Sequence, residues 1–252
     1  MPAWELSADH FAAVWYGRAH DRLPFPFRLL SRFRYADEYD AFASRVRADL
    51  TDDQPLREAL RVLADPEIRV EVFGLHGPDL ATELRVIGCA RSGAGVVATQ
   101  TPGLDGGTVA LRTCAAGALA ERVLDRLPEA TMGSAKPQRF PVDSLAAAAP
   151  GAYVRRADAV SHREQFRKIA RSPRSAQGTV SIFAGVRTEE QRARTGVVRW
   201  FDVVGDGRYT EVRTRSHVEV EPAGRTQIIG KISSFADQAM AVASSGCQLR
   251  PS

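Results

Sequence analysis

Asp202 and Asp206 are the first residues to weigh. Two carboxylates this close, beside a turn, are the raw material of a general acid–base pair or a calcium site. They stand in Trp200-Phe201-Asp202-Val203-Val204-Gly205-Asp206-Gly207, with no EF-hand spacing around them. An Asp-Gly turn that supplies positive-φ positions accounts for them better than catalysis or metal binding. The histidines (His10, His20, His76, His162 and His217) form no HExxH and no paired metal-ligand spacing. Cys89, Cys114 and Cys247 are odd in number and far apart, without a CxxC. That argues against a disulfide framework or a zinc site and fits a reducing cytoplasm. No GxSxG elbow marks an activated serine. Gly103-Leu104-Asp105-Gly106-Gly107-Thr108 is glycine-rich, but no Lys-Ser/Thr follows it as a phosphate-binding loop requires. It reads as a hairpin turn. The sequence therefore predicts no catalytic residue, no metal and no cofactor, which favours a binding protein over an enzyme.

The elements around these residues read as α+β. Val197–Val204 is rich in β-branched and aromatic residues, Gly205-Asp206-Gly207 breaks it, and Arg208–Thr214 resumes the pattern. Ser216–Val220 follows as another short strand. Trp200, Asp202 and Val204 fall on one face, and Arg199, Phe201 and Val203 on the other. Apolar bulk on both faces predicts a central strand covered on both sides. Upstream, Ser7 is placed to cap a helix over Ala8–Gly17, with Phe11, Val14 and Trp15 in phase. Leu23-Pro24-Phe25-Pro26-Phe27 must be extended. Helices are predicted over Ala36–Leu50 and Gln54–Leu63, then strands over Arg69–Phe73, Glu83–Ala90, Val96–Thr101 and Thr108–Cys114, and a helix over Ala115–Leu127. Gly-rich turns at short spacing indicate an antiparallel meander.

The second part repeats the order: a helix over His162–Arg171, a strand over Thr179–Gly185, a charged loop over Val186–Gly196, the hairpin, and a last helix over Arg225–Ala243. That helix carries a stripe of Ile228, Ile232, Phe235, Ala239 and Met240. A single domain of two quasi-symmetric halves is expected, 1–127 and 152–243. A Pro- and Ala-rich linker over 128–151, with a short helix at Val142–Ala149, and a disordered tail over 244–252 complete it.

Composition narrows the class. The chain has 252 residues, 44% hydrophobic and 25% charged, which is ordinary for a soluble globular protein. No run is long and apolar enough to span a bilayer, and the N-terminus has no signal-peptide pattern. Residues 1–128 hold 15 Lys+Arg against 18 Asp+Glu, and residues 129–252 hold 19 against 12. A basic second half keeps a nucleic-acid module open as an alternative, but the charges are dispersed and a solvated face explains them better. Lysine occurs only at 136, 168 and 231, and asparagine is absent, as in a GC-rich genome.

Several runs resemble one family. Trp4-Glu5-Leu6, Phe11, Val14-Trp15-Tyr16 and Arg22-Leu23-Pro24-Phe25-Pro26-Phe27 are similar to the N-terminus of the EspG family, which is associated with ESX (type VII) secretion. So are Arg69-Val70-Glu71-Val72-Phe73-Gly74 and Trp200-Phe201-Asp202 followed by Gly205-Asp206-Gly207-Arg208-Tyr209, in the same order. The resemblance implies a central antiparallel sheet flanked by helices in two quasi-symmetric halves. It implies a cytosolic, non-enzymatic chaperone that keeps a PE–PPE heterodimer, or a related helical-hairpin ESX substrate, soluble by masking an apolar tip. From the residues themselves the client surface is expected around Val197–Val204 and the last helix, with Phe201, Val203 and Phe235 as anchors and Trp200 in the core.

Overall fold

The computed structural model describes residues 2–16, 22–50, 52–145, 157–185 and 194–247. The chain opens with a short strand, β1 (Ala3–Ser7), that the sequence pattern does not reveal. Ser7 ends it and caps α1 (Ala8–Trp15), its hydroxyl oxygen accepting the His10 amide at 3.2 Å. Next come α2 (Ala36–Leu50) and α3 (Gln54–Ala64). Asp53 caps α3 by accepting the Leu56 amide at 2.9 Å, and Leu56, Ala59, Leu60 and Leu63 form its buried face. The predicted meander is β2 (Ile68–His76), β3 (Thr82–Arg91), β4 (Ala94–Gln100) and β5 (Thr108–Ala115). The helix expected over Ala115–Leu127 is shorter: a 3₁₀ turn at Ala116–Ala118 leads into α4 (Leu119–Leu124).

The stretch expected to be a linker contains structure. Gln138–Pro141 is a strand, β6, followed by a one-turn helix, α5 (Val142–Leu145). Four residues are too few to show a period, and what makes them a strand is pairing with a distant partner. The rest of the expected short helix, and the linker from 146 to 151, lie outside the described residues. The second half continues with α6 (Ala157–Ala170), β7 (Arg174–Ala184), β8 (Arg194–Val203), β9 (Gly207–Arg213), β10 (His217–Pro222) and α7 (Arg225–Cys247). Arg194–Gly196, expected in a charged loop, belong to β8. Residues 186–193 of that loop lie outside the described residues. The tail expected to be disordered instead continues α7 to Cys247, and 248–252 lie outside the described residues.

All the described strands form one sheet in the order β1-β5-β4-β3-β2-β7-β8-β9-β10-β6, with antiparallel neighbours throughout. Reading outward from the centre, one half runs β2, β3, β4, β5, β1 and the other runs β7, β8, β9, β10, β6. Each half thus ends on its own first strand. By this pattern the second half begins at β6, inside the expected linker.

Period-two alternation sends residues to opposite faces. On one face Val70, Val72, Val86, Val180, Ile182, Val198 and Trp200 pack under Leu119 and Val123 of α4 and Ile228 and Ile232 of α7. On the other, Ile87, Val96, Ala98 and Leu111 pack under α1 and α3, while Phe201, Tyr209, Val218 and Val220 pack with Phe140 under α5 and α6. The expected double covering of β8 is therefore present. At the seam, Gly74 of β2 pairs with Gly178 of β7. A Cβ on Gly178 would sit 2.8 Å from the Gly74 Cα and 2.9 Å from the Trp200 indole, so glycine is what admits that ring to the centre of the sheet.

Cys89 lies fully buried on β3, and desolvation pushes its thiol up to about 12. At neutral pH Cys89 should therefore resist a thiol reagent in the native protein and react once the chain is unfolded, which peptide mass spectrometry reads directly. Rapid native labelling would contradict this packing.

Candidate functional site

The two carboxylates do not meet. Asp202 lies on the α7 face, buried, with both oxygens taken by the Arg208 guanidinium: Nε to Oδ1 and Nη2 to Oδ2, each 2.7 Å. Arg208 in turn lies 4.9 Å over the Trp200 ring. A carboxylate clamped in this way on both oxygens is a structural ion pair rather than a base poised for substrate. Asp206 sits in the β8–β9 turn and points elsewhere. It accepts the Tyr209 hydroxyl in a short hydrogen bond, and the Ser134 amide at 2.9 Å. Those donors, Tyr209 first, hold its carboxyl below the usual range. The same clasp pins the 128–137 segment to the sheet, since the Ala135 amide donates to the Tyr209 oxygen at 2.9 Å. Among the described residues, no group of three or more His, Cys, Asp and Glu is placed to hold a metal ion.

The three expected anchors also separate. Phe201 is only 2% exposed. It stacks on Tyr209 at 5.7 Å, and the Arg174 guanidinium lies 4.4 Å over its ring. Phe235 projects from α7 on the opposite side of the sheet. A Cβ on Gly196 would fall 2.2 Å from its ring, so Phe235 fills the space that glycine leaves. Half-buried, it packs against the core beneath α4 and α7. A single partner surface holding Phe201, Val203 and Phe235 is thus corrected: Phe201 and Phe235 are packing residues on opposite faces. Val203, half-buried, lines an open feature whose floor the Phe201 ring shares.

That feature is a groove of about 560 Å³ between α6 and the β8–β9–β10 end of the sheet. Phe201, Val203, Tyr209 and Val220 make its floor, Ile169 and Ser172 line the α6 side, and Lys136 and Lys168 stand at its rim. Its size suits a specific site. Val204 in the adjoining turn is 60% exposed, and Met132 on the pinned segment is 54% exposed. On the other flank of α6, Phe73, Phe166, Arg174, Arg199 and Glu211 line a second groove of about 420 Å³. Phe166 and Ile169 hold α6 down between the two. The position of Val203 was legible from strand alternation. The two lysines were not, being remote in sequence and in unremarkable contexts.

The described strands thus make a ten-stranded sheet with helices on both faces and an apolar-floored groove at one end. The family model described as the EspG family matches residues 7–234, and the chain belongs to that family. No curated sequence matches it significantly. Among solved structures it is similar to the Mycobacterium tuberculosis type VII secretion system chaperone EspG5, solved in complex with a PE25–PPE41 dimer. That match has a TM-score of 0.56 and 14% identity, over 94% of this chain and 96% of the other. At this identity the likeness concerns the fold. No helix among the described residues is long and apolar enough to cross a membrane.

Proposed function

We propose that this chain is a cytoplasmic, non-enzymatic type VII secretion chaperone. Its client is a PE–PPE-like heterodimer or a related helical-hairpin ESX substrate, whose apolar tip it covers until export. The observation that carries this reading is membership of the EspG family across nearly the whole chain. The shared fold with a chaperone that was solved bound to a PE–PPE dimer supports it. So does the groove: an exposed apolar tip drives aggregation, and a preformed concave apolar surface masks it at little ordering cost. The client surface in this reading is the groove mouth at Val203 and the adjoining Val204 and Met132, with Phe201 acting beneath as its floor.

Co-expression with the PE–PPE-like or helical-hairpin proteins encoded beside this chain should yield a soluble complex that survives size exclusion. Failure with every such candidate would overturn the proposal.

A further inference from the structure

The groove is charged at its rim as well as apolar at its floor. Of the chain's three lysines, Lys231 closes an ion pair with Glu221 at 2.6 Å. The other two, Lys136 on the segment entering β6 and Lys168 on α6, both line the groove. Neither ammonium group has a carboxylate partner among the described residues. Among the described residues the lining holds one carboxylate, Asp206, which stays ionised and accepts its hydrogen bonds from Tyr209 and Ser134 rather than from either lysine. Gln138 and Gln165 are its remaining amide side chains. Two cations in no ion pair among the described residues, one from the sheet side and one from the helix side, therefore outnumber that single carboxylate and flank a floor of Phe201, Val203 and Val220.

We propose that this groove selects an acidic segment of the client, one that lays a large apolar side chain on the floor and sets carboxylates against Lys136 and Lys168. The proposal rests on the chaperone reading and adds to it the charge of the segment recognised. The division of labour follows from burial. Desolvated apolar contact supplies the holding energy, while exposed rim charges steer the encounter and reject segments of the wrong sign.

The test uses the client pair captured by the wild-type chain and compares it with two double variants. Lys136→Glu with Lys168→Glu should slow association about tenfold or more at low ionic strength and flatten its salt dependence, with little change in dissociation. Lys136→Arg with Lys168→Arg should stay near wild type. Melting temperature should stay unchanged in the Arg variant and fall only slightly in the Glu variant, where a carboxylate replaces Lys168 in the last turn of α6. Association as fast in the Glu variant as in wild type would sink the acidic-segment proposal and leave the chaperone reading standing. A wild-type chain that captures no candidate pair would overturn both.

Discussion

Phe201→Ala is expected to cost about 3–5 kcal/mol of folding stability, as large-to-small changes at buried aromatics do. For a chain of this size that corresponds to a fall in melting temperature of roughly 10 °C or more. The ring is almost completely buried, stacks on Tyr209, supports the Arg174 guanidinium, and lines both grooves that flank α6. Its removal joins those grooves into one larger void, and among the described side chains of α6 Phe166 and Ile169 are the ones packed there to close over it. The local structure is therefore poorly placed to collapse into the space, which puts the cost at the upper end. Calorimetry or denaturant titration measures this without any client. A variant that melts like wild type would mean that Phe201 is not packed as described and would return it to the list of surface anchors. Client affinity should be corrected for the folded fraction, since a loss that vanishes on correction is a loss of fold.

The strands were legible because half-buried sheets write their alternation into sequence. Trp200 and Phe201 were assigned to opposite faces by period alone, and both faces proved covered. What period cannot say is which helix covers which face. Phe201 and Phe235 looked like neighbours because β8 and α7 are neighbours, yet α7 covers the Trp200 face and α6 the Phe201 face. β1 and β6 were missed for a related reason. Each is a short edge strand running directly into a helix, and each exists through pairing, β1 with β5 and β6 with β10. Phe140 of β6, only 1% exposed, shows how much core such a segment can bring with it. The Ser-Gly-Cys end of α7 has poor intrinsic helix propensity, which is why it read as a tail. The groove could not be read at all. Its rim is assembled from the segment before β6 and from α6, and unpaired charge becomes visible only when every possible partner has a position.

The Asp202–Arg208 pair is the other place where a single substitution should be costly. Arg208→Ala leaves a buried carboxylate with no cation, and Asp202→Ala leaves a buried guanidinium with no anion. Each is expected to cost about 3–5 kcal/mol, because the remaining charge has lost its partner but not its desolvation. Arg208 should be the worse of the two. Its Nη2 also donates to the Pro128 carbonyl at 2.6 Å, and its side chain covers the Trp200 ring. Its backbone would still hold the 131–133 segment, since the Arg208 amide donates to Thr131 at 2.7 Å and its carbonyl accepts from Gly133 at 3.0 Å. The damage from the substitution is therefore confined to what the guanidinium touches: Asp202, the Pro128 carbonyl and the Trp200 ring. A double variant, Asp202→Leu with Arg208→Met, separates the alternatives. If the single losses reflect an orphaned buried charge, removing both charges should cost less than either single substitution. If instead the pair is a net source of stability, the double variant should lose nearly as much as the worse single one or more. Chemical denaturation of wild type, Asp202→Leu, Arg208→Met and the double variant gives the coupling energy directly, and strict additivity would show that the two side chains do not interact as the geometry requires.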